Sequence, residues 1–133
     1  MQSQITPEFF LSRLDDASWS DEDPRLDLGP AGLPPFMAAL ETEKDPKRRE
    51  RLTRIIWQFR NAAALPALAS ALGDPCDRVW KEAIDGLVTL GGPEAISILG
   101  GAHAAAVGPD AAEKRSWIAE AIAQVRDGFY PQT

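Results

Sequence analysis

The stretch Asp74-Pro75-Cys76-Asp77-Arg78-Val79-Trp80-Lys81-Glu82-Ala83, continuing through Leu87 to Leu90-Gly91-Gly92-Pro93-Glu94-Ala95-Ile96, decides how this 133-residue chain is read. Asp74-Pro75 marks the passage from a loop into a helix, because proline lacks an N–H that the first helical turn would leave unpaired anyway. Val79, Ala83, Ile84, Leu87 and Leu90 then fall on one face at a spacing of about 3.6 residues. Gly91-Gly92 supplies a helix end, and Pro93-Glu94 a new start. The result is two helices joined by a short break, neither able to bury its apolar stripe alone.

The same order recurs on both sides. Asp45-Pro46 opens a helix with Leu52, Ile55, Ile56 and Phe59 on one face, and a further helix follows over Ala62 to Leu72. Downstream, Pro93 to about Ala105 is followed by Asp110 to about Asp127, where Ile118, Ala121, Ile122 and Val125 share a face. Leu33-Pro34 through Leu40 resembles Leu65-Pro66 through Leu72 at an offset of 32. Ile56 and Phe59 correspond to Leu87 and Leu90, and Ala64-Leu65 and Leu68 to Ala95-Ile96 and Leu99, at an offset of 31. A helical period of this length means a solenoid. Ala31 to Glu41 is a further helix, and Thr6-Pro7-Glu8 starts an N-terminal one running to about Leu14. No stretch alternates apolar and polar residues over strand length. The expected fold is therefore all-α: a short α-solenoid of helix pairs, about seven helices, with an extra N-terminal helix. One domain is expected over 1–133, with an N-terminal helix and acidic loop at 1–29, repeats at 31–127 and a loose tail at 128–133.

The quoted unit resembles the short HEAT-like repeat also found in phycobilin lyases. The matching positions are Asp74, Pro75, Val79, Ala83, Leu87, Leu90, Gly91, Pro93, Glu94 and Ala95, and Trp80 stands where that repeat carries arginine. The match is looser over Asp45 to Leu72 and partial from Asp110 onward, so the resemblance covers about residues 31–127. It implies an α-solenoid with a protein-binding role. It does not carry lyase chemistry, because repeat residues belong to the scaffold. A small acidic domain of this type with an added N-terminal helix is also similar to bacterial immunity proteins that neutralise a cognate toxin, which implies steric occlusion of the toxin.

The composition, 44% hydrophobic and 26% charged, is that of an ordinary globular protein. A net charge of −6 disfavours a nucleic-acid binder that works by broad phosphate neutralisation. The single Cys76 permits no intrachain disulfide, and Met1 to Pro7 shows neither a basic nor an apolar leader region, so a cytoplasmic location is expected. The longest apolar-rich run, Ala62 to Leu72, is too short to span a bilayer. His103 and Cys76 have no partners at metal-ligand or nucleophile–base spacing. Gly91-Gly92 and Gly100-Gly101 lack the lysine and spacing of a phosphate loop. No catalytic residue, cofactor or metal is expected.

Charge is uneven along the chain. Residues 1–29 hold seven acids and two bases, whereas residues 44–60 hold seven bases and two acids. Asp15, Asp16, Asp21, Glu22 and Asp23, with Trp19 among them, read as a docking surface for a basic partner or as a solvated loop. Lys44, Lys47, Arg48, Arg49, Arg51, Arg54 and Arg60 read as pairing with that acidic segment, with nucleic-acid contact through helix 46–60 as the alternative. Trp57 falls about 150° from the centre of its helix's apolar stripe, beside Arg54 and Glu50, so either a neighbouring helix covers it or it is a binding surface. Trp80 adjoins the stripe of its own helix through Ile84, and Trp117 borders Ala121. The candidate partner-binding residues are Asp15, Asp16, Trp19, Asp21, Glu22, Asp23, Trp57, Trp80, Lys81 and Asp85. The expected partner is a protein, most concretely a basic toxin domain, with an adaptor or assembly role as the alternative; a monomer is favoured.

Overall fold

A computed structural model describes residues 7–12, 14 and 30–128. Its helices are α1 (Pro7–Leu11), α2 (Leu33–Thr42), α3 (Pro46–Gln58), α4 (Leu65–Ala71), α5 (Asp77–Leu90), α6 (Gly92–Ala105) and α7 (Ala111–Arg126). No strand occurs among the described residues. The N-terminal helix ends at Leu11, a turn earlier than expected. The offset of 32 seen in the sequence is structural: single-turn 3-10 helices at Pro30–Gly32 and Ala62–Ala64 lead into α2 and α4, each of which begins Leu-Pro. The helix predicted over 62–72 is therefore split. Asn61 Oδ1 accepts from the Ala63 N–H at 2.8 Å, and the Ala64 N–H reaches back only three residues to the Asn61 carbonyl at 2.9 Å, which tightens the first turn.

The two Asp-Pro junctions fold differently. Asp45 caps α3 directly, accepting from the Lys47 N–H at 3.2 Å, with Pro46 in the first turn. At the second junction Asp74 Oδ1 makes the same bond, accepting from the Cys76 N–H at 2.9 Å, but Cys76 stays extended at φ −87° and ψ 124°, and α5 begins only at Asp77. Gly91 then closes α5 at φ 65°, its N–H bonded to the Leu87 carbonyl at 2.8 Å, and Gly92 follows at φ 88°. Both lie in the region where a side chain on Cβ would be strained, so the tight reversal into α6 uses glycine twice.

The first helices of successive repeats stack, α3 on α5 and α5 on α7, and each packs on the second helix before it: α2 on α3, α4 on α5, α6 on α7. Four neighbours surround α5 as a result. It buries Val79, Trp80, Glu82, Ala83, Ile84, Gly86, Leu87 and Val88, whereas the outer α7 buries only Ile118 and Ala121. Stacking thus gives the middle helix the coverage that an isolated pair lacks. At the N-terminal end α1 closes the core, with Phe10 fully buried and set edge-on to Phe36 at 6.3 Å, and Phe36 in turn 5.9 Å from Phe59. The structure is a short all-α solenoid. No helix among the described residues is long and apolar enough to cross a membrane.

Candidate protein-binding face

The seam between α3 and α5 sets the geometry of one face. Gly86 lies so close under Trp57 that a Cβ placed on it would stand 2.6 Å from the Trp57 Cβ. The close approach holds the indole over α5, where its Nε1–H donates to Glu82 Oε2 at 2.7 Å. Glu82 is buried, and its other oxygen accepts from Arg54 Nη2 at 3.0 Å. The bond to Glu82 raises the Arg54 pKa above its ordinary value despite partial desolvation, and Glu50 adds a longer contact at 3.5 Å. A buried carboxylate is tolerated here because both its oxygens are bonded, one to a cation.

Across the α5–α7 seam, Trp80 and Trp117 meet edge to face at 6.4 Å. Lys81 Nζ lies 5.5 Å from the Trp80 centroid and 4.8 Å from that of Trp117, and it also contacts Asp77 at 3.3 Å and Glu113 at 3.7 Å. Lys114 Nζ approaches the Trp80 ring to 5.6 Å; desolvation there lowers its pKa, against the pull of Asp74. Aromatic rings and ammonium groups therefore alternate along this seam.

Between the two seams a groove of about 630 Å³ opens on the face formed by α3, α5 and α7. Ile84, Val88 and Ala121, all buried, lie at its base. Trp57 and Arg60 line it from α3 and the residues just after it, Asp85 and Thr89 from α5, and Ser116, Trp117, Glu120 and Gln124 from α7. Trp117 leaves 41% of its surface exposed. Burial and the Glu82 carboxylate raise the Asp85 pKa, with Arg54 opposing them. Arg60 holds a left-handed backbone at φ 53°, a conformation a non-glycine residue adopts at a cost of roughly 1–2 kcal/mol. Strain of that kind gathers at functional surfaces.

A family model for HEAT repeats matches residues 33–123, about two-thirds of the chain. The chain is a HEAT-repeat protein. HEAT repeats generally mediate protein–protein interaction, and proteins built from them are typically non-catalytic scaffolds. No match was found among curated proteins or among solved structures.

The sequence-derived candidates divide on this HEAT-repeat scaffold. Asp15, Asp16, Trp19, Asp21, Glu22 and Asp23 lie outside the described residues. Trp57 is half-buried: its position opposite the apolar stripe is covered by α5 and still lines the groove. Trp80 is only 2% exposed, so its ring belongs to the core and presents no free face to a partner, because α7 packs over the position that lay at the edge of the stripe. Lys81 is half-buried between the tryptophans, and Asp85 is exposed in the groove. Arg60, Trp117 and Glu120, which were not among the sequence-derived candidates, also line the groove. Their signal was faint, because they join Asp85 only once three helices from different repeats are stacked.

The basic helix α3 is largely compensated within the fold. Arg48 pairs with Glu43 at 2.9 Å, Arg54 with Glu82 as described, and Arg49 with Asp74 through two bonds of 2.7 and 3.1 Å. Arg49 also donates to the Lys44 carbonyl at 2.6 Å, so it ties the two Asp-Pro junctions of successive repeats together. These acids come from α2–α3, α4–α5 and α5; the acidic N-terminal segment that the charge pattern had suggested lies outside the described residues. His103 is half-buried on α6, and its carbonyl accepts from Arg115 Nε at 3.3 Å. Cys76 is a half-buried residue at the start of α5. Among the described residues, no group of three His, Cys, Asp or Glu side chains is placed to hold a metal ion.

Proposed function

We propose that this HEAT-repeat protein is a non-catalytic protein-binding module acting as a single domain, and that the groove face of α3, α5 and α7 is its contact surface. The observation that carries the reading is Trp117: a large aromatic residue 41% exposed, set among Asp85, Glu120 and Gln124 over an apolar base. Aromatic anchors surrounded by polar groups are the composition of interface hot spots. Neutralisation of α3 by acids of its own repeats weighs against nucleic-acid contact, since paired guanidinium groups release few counterions from a phosphate backbone.

The most concrete form of this reading is an immunity protein that covers the functional site of a cognate bacterial toxin in the cytoplasm; an adaptor or assembly factor is the alternative. The finer assignment to the phycobilin-lyase type of repeat rests on the Asp74 to Ala95 pattern, and the toxin role on the size, acidity and added N-terminal helix. A photo-crosslinking residue at position 117 or 120 should capture one protein partner in the native host, and the same residue at Ser97, on α6, should not. Equal capture at both places, or none at the groove, removes this face from function. Growth rescue by co-expression with a toxin encoded beside the gene separates immunity from an adaptor role.

A further inference from the structure

We propose that the groove selects a basic side chain of the partner, a guanidinium or ammonium group seated between the Trp117 ring and the carboxylates of Asp85 and Glu120. The proposal rests on the protein-binding reading above and adds the chemistry that is recognised. Asp85 and Glu120 line the same groove, and neither makes an ion pair with a described residue. Arg54, whose charge acts on Asp85, is hydrogen-bonded to Glu82. Although Asp85 is exposed at the groove, partial desolvation and the neighbouring Glu82 disfavour its charge, against Arg54, and an incoming cation would relieve that cost.

The aromatic side of the site has the same preference. Lys81 already lies 4.8 Å from the Trp117 centroid, which shows this ring in contact with an ammonium group within the fold. Trp117 also lines the groove. Lys81 itself is compensated by Asp77 and Glu113, so it does not cancel the two groove carboxylates. Arg60, following α3 in the same lining, pairs with no described acid and disfavours a cation beside it, which places the bound basic group towards α5 and α7. A net charge of −6 would also draw a basic partner from a distance.

The test uses the full chain labelled with nitrogen-15 and a short capped peptide carrying one arginine among alanine and serine, against the same peptide with citrulline, which keeps the shape and removes the charge. The arginine peptide, titrated to about 1 mM to cover single-anchor affinities, should shift the Trp117 indole N–H resonance saturably, and the citrulline peptide should not. Asp85→Asn with Glu120→Gln should weaken the arginine peptide at least about tenfold, the scale of a lost charge-assisted bond. Trp117→Leu should weaken it about threefold, as loss of a partly exposed cation–π contact does. Equal binding of the citrulline peptide, undiminished binding by the double variant, or no shift of Trp117 would overturn the proposal. If the double variant still captures its partner through a crosslinker at position 117, the binding face stands and only the charge selection falls. If the protein with both carboxylates intact captures no partner through that crosslinker, the binding reading itself fails.

Discussion

Gly86→Ala should destabilise the protein, although glycine to alanine in the middle of an exposed helix normally stabilises by roughly 0.5–1 kcal/mol. The sign reverses because the new Cβ would stand 2.6 Å from the Trp57 Cβ and 2.8 Å from its Cγ. Carbon atoms in contact settle at about 3.5–4.0 Å, so the helices must part by about 1 Å or the indole must leave its place. The Trp57 Cβ is fixed to its backbone and cannot swing aside, so rotation of the ring relieves only part of the clash. That rotation also gives up the 2.7 Å bond from Nε1–H to the buried Glu82. Overpacking of this kind costs about 1–3 kcal/mol, and a hydrogen bond to a charged group contributes about 1.5–3 kcal/mol. After the gain in helix propensity, a net loss of about 1–3 kcal/mol remains. For a chain of this size that lowers Tm by roughly 5–10 °C. Urea denaturation should show a lower midpoint at an unchanged slope. Adding Trp57→Ala removes Cγ and Cδ1 and leaves Cβ, so the two substitutions should couple favourably by about 1 kcal/mol. A rise in Tm for Gly86→Ala alone would refute the close α3–α5 approach and, with it, the placement of Trp57 at the groove.

Three further outcomes are expected. Arg60→Gly should raise the unfolding free energy by up to about 1 kcal/mol, read as a higher urea midpoint, because glycine adopts the φ 53° conformation without strain; a lower midpoint would mean that the Arg60 side chain contributes more than its backbone costs. Asp85 has a raised pKa in the folded state, so its contribution favours folding when it is protonated and is lost as pH rises through the folded value. Asp85→Asn should accordingly stabilise at pH 7, and the difference from the parent should fade as pH falls below the ordinary aspartate range; a gain that persists at low pH would contradict the assigned cause. Arg49→Lys should lose about 1–2 kcal/mol, since an ammonium cannot reproduce the paired bonds to Asp74 and the third to the Lys44 carbonyl; hydrogen exchange should show the loss concentrated at the 43–45 and 73–76 junctions.

Helix positions were legible in the chain because they depend on local chemistry: a proline that suits a first turn, a glycine that suits a reversal, and an apolar stripe at 3.6-residue spacing. Asp45-Pro46 and Gly91-Gly92 marked their boundaries without reference to any distant residue, whereas the helix read from Ala62 starts as a 3-10 turn and becomes α-helical only at Leu65. The repeat offset carried the solenoid with it, since identical half-buried helices have only each other to pack against. Even the local signal had limits: Asp74-Pro75 looks like Asp45-Pro46 and carries the same side-chain bond to the N–H two residues on, yet Cys76 stays extended and α5 begins only at Asp77.

The binding face belongs to tertiary structure. Trp57 and Trp80 each sit on a helix that carries charges of both signs, and a single-helix projection cannot tell which one a neighbour will cover. Stacking buried Trp80 under α7 and left Trp117 of that same outer helix open, because α7 has no following first helix to cover it among the described residues. Pairing was decided in the same way: Arg49 finds Asp74, and Arg54 finds Glu82, across 25 and 28 residues of chain. Composition counts charges but cannot assign partners, since Coulomb attraction and desolvation depend on distances that only packing sets. The sequence by itself determined the helices, their order and their period. The tertiary structure decided which charges cancel, which tryptophan is core, and which two carboxylates remain facing an open aromatic groove.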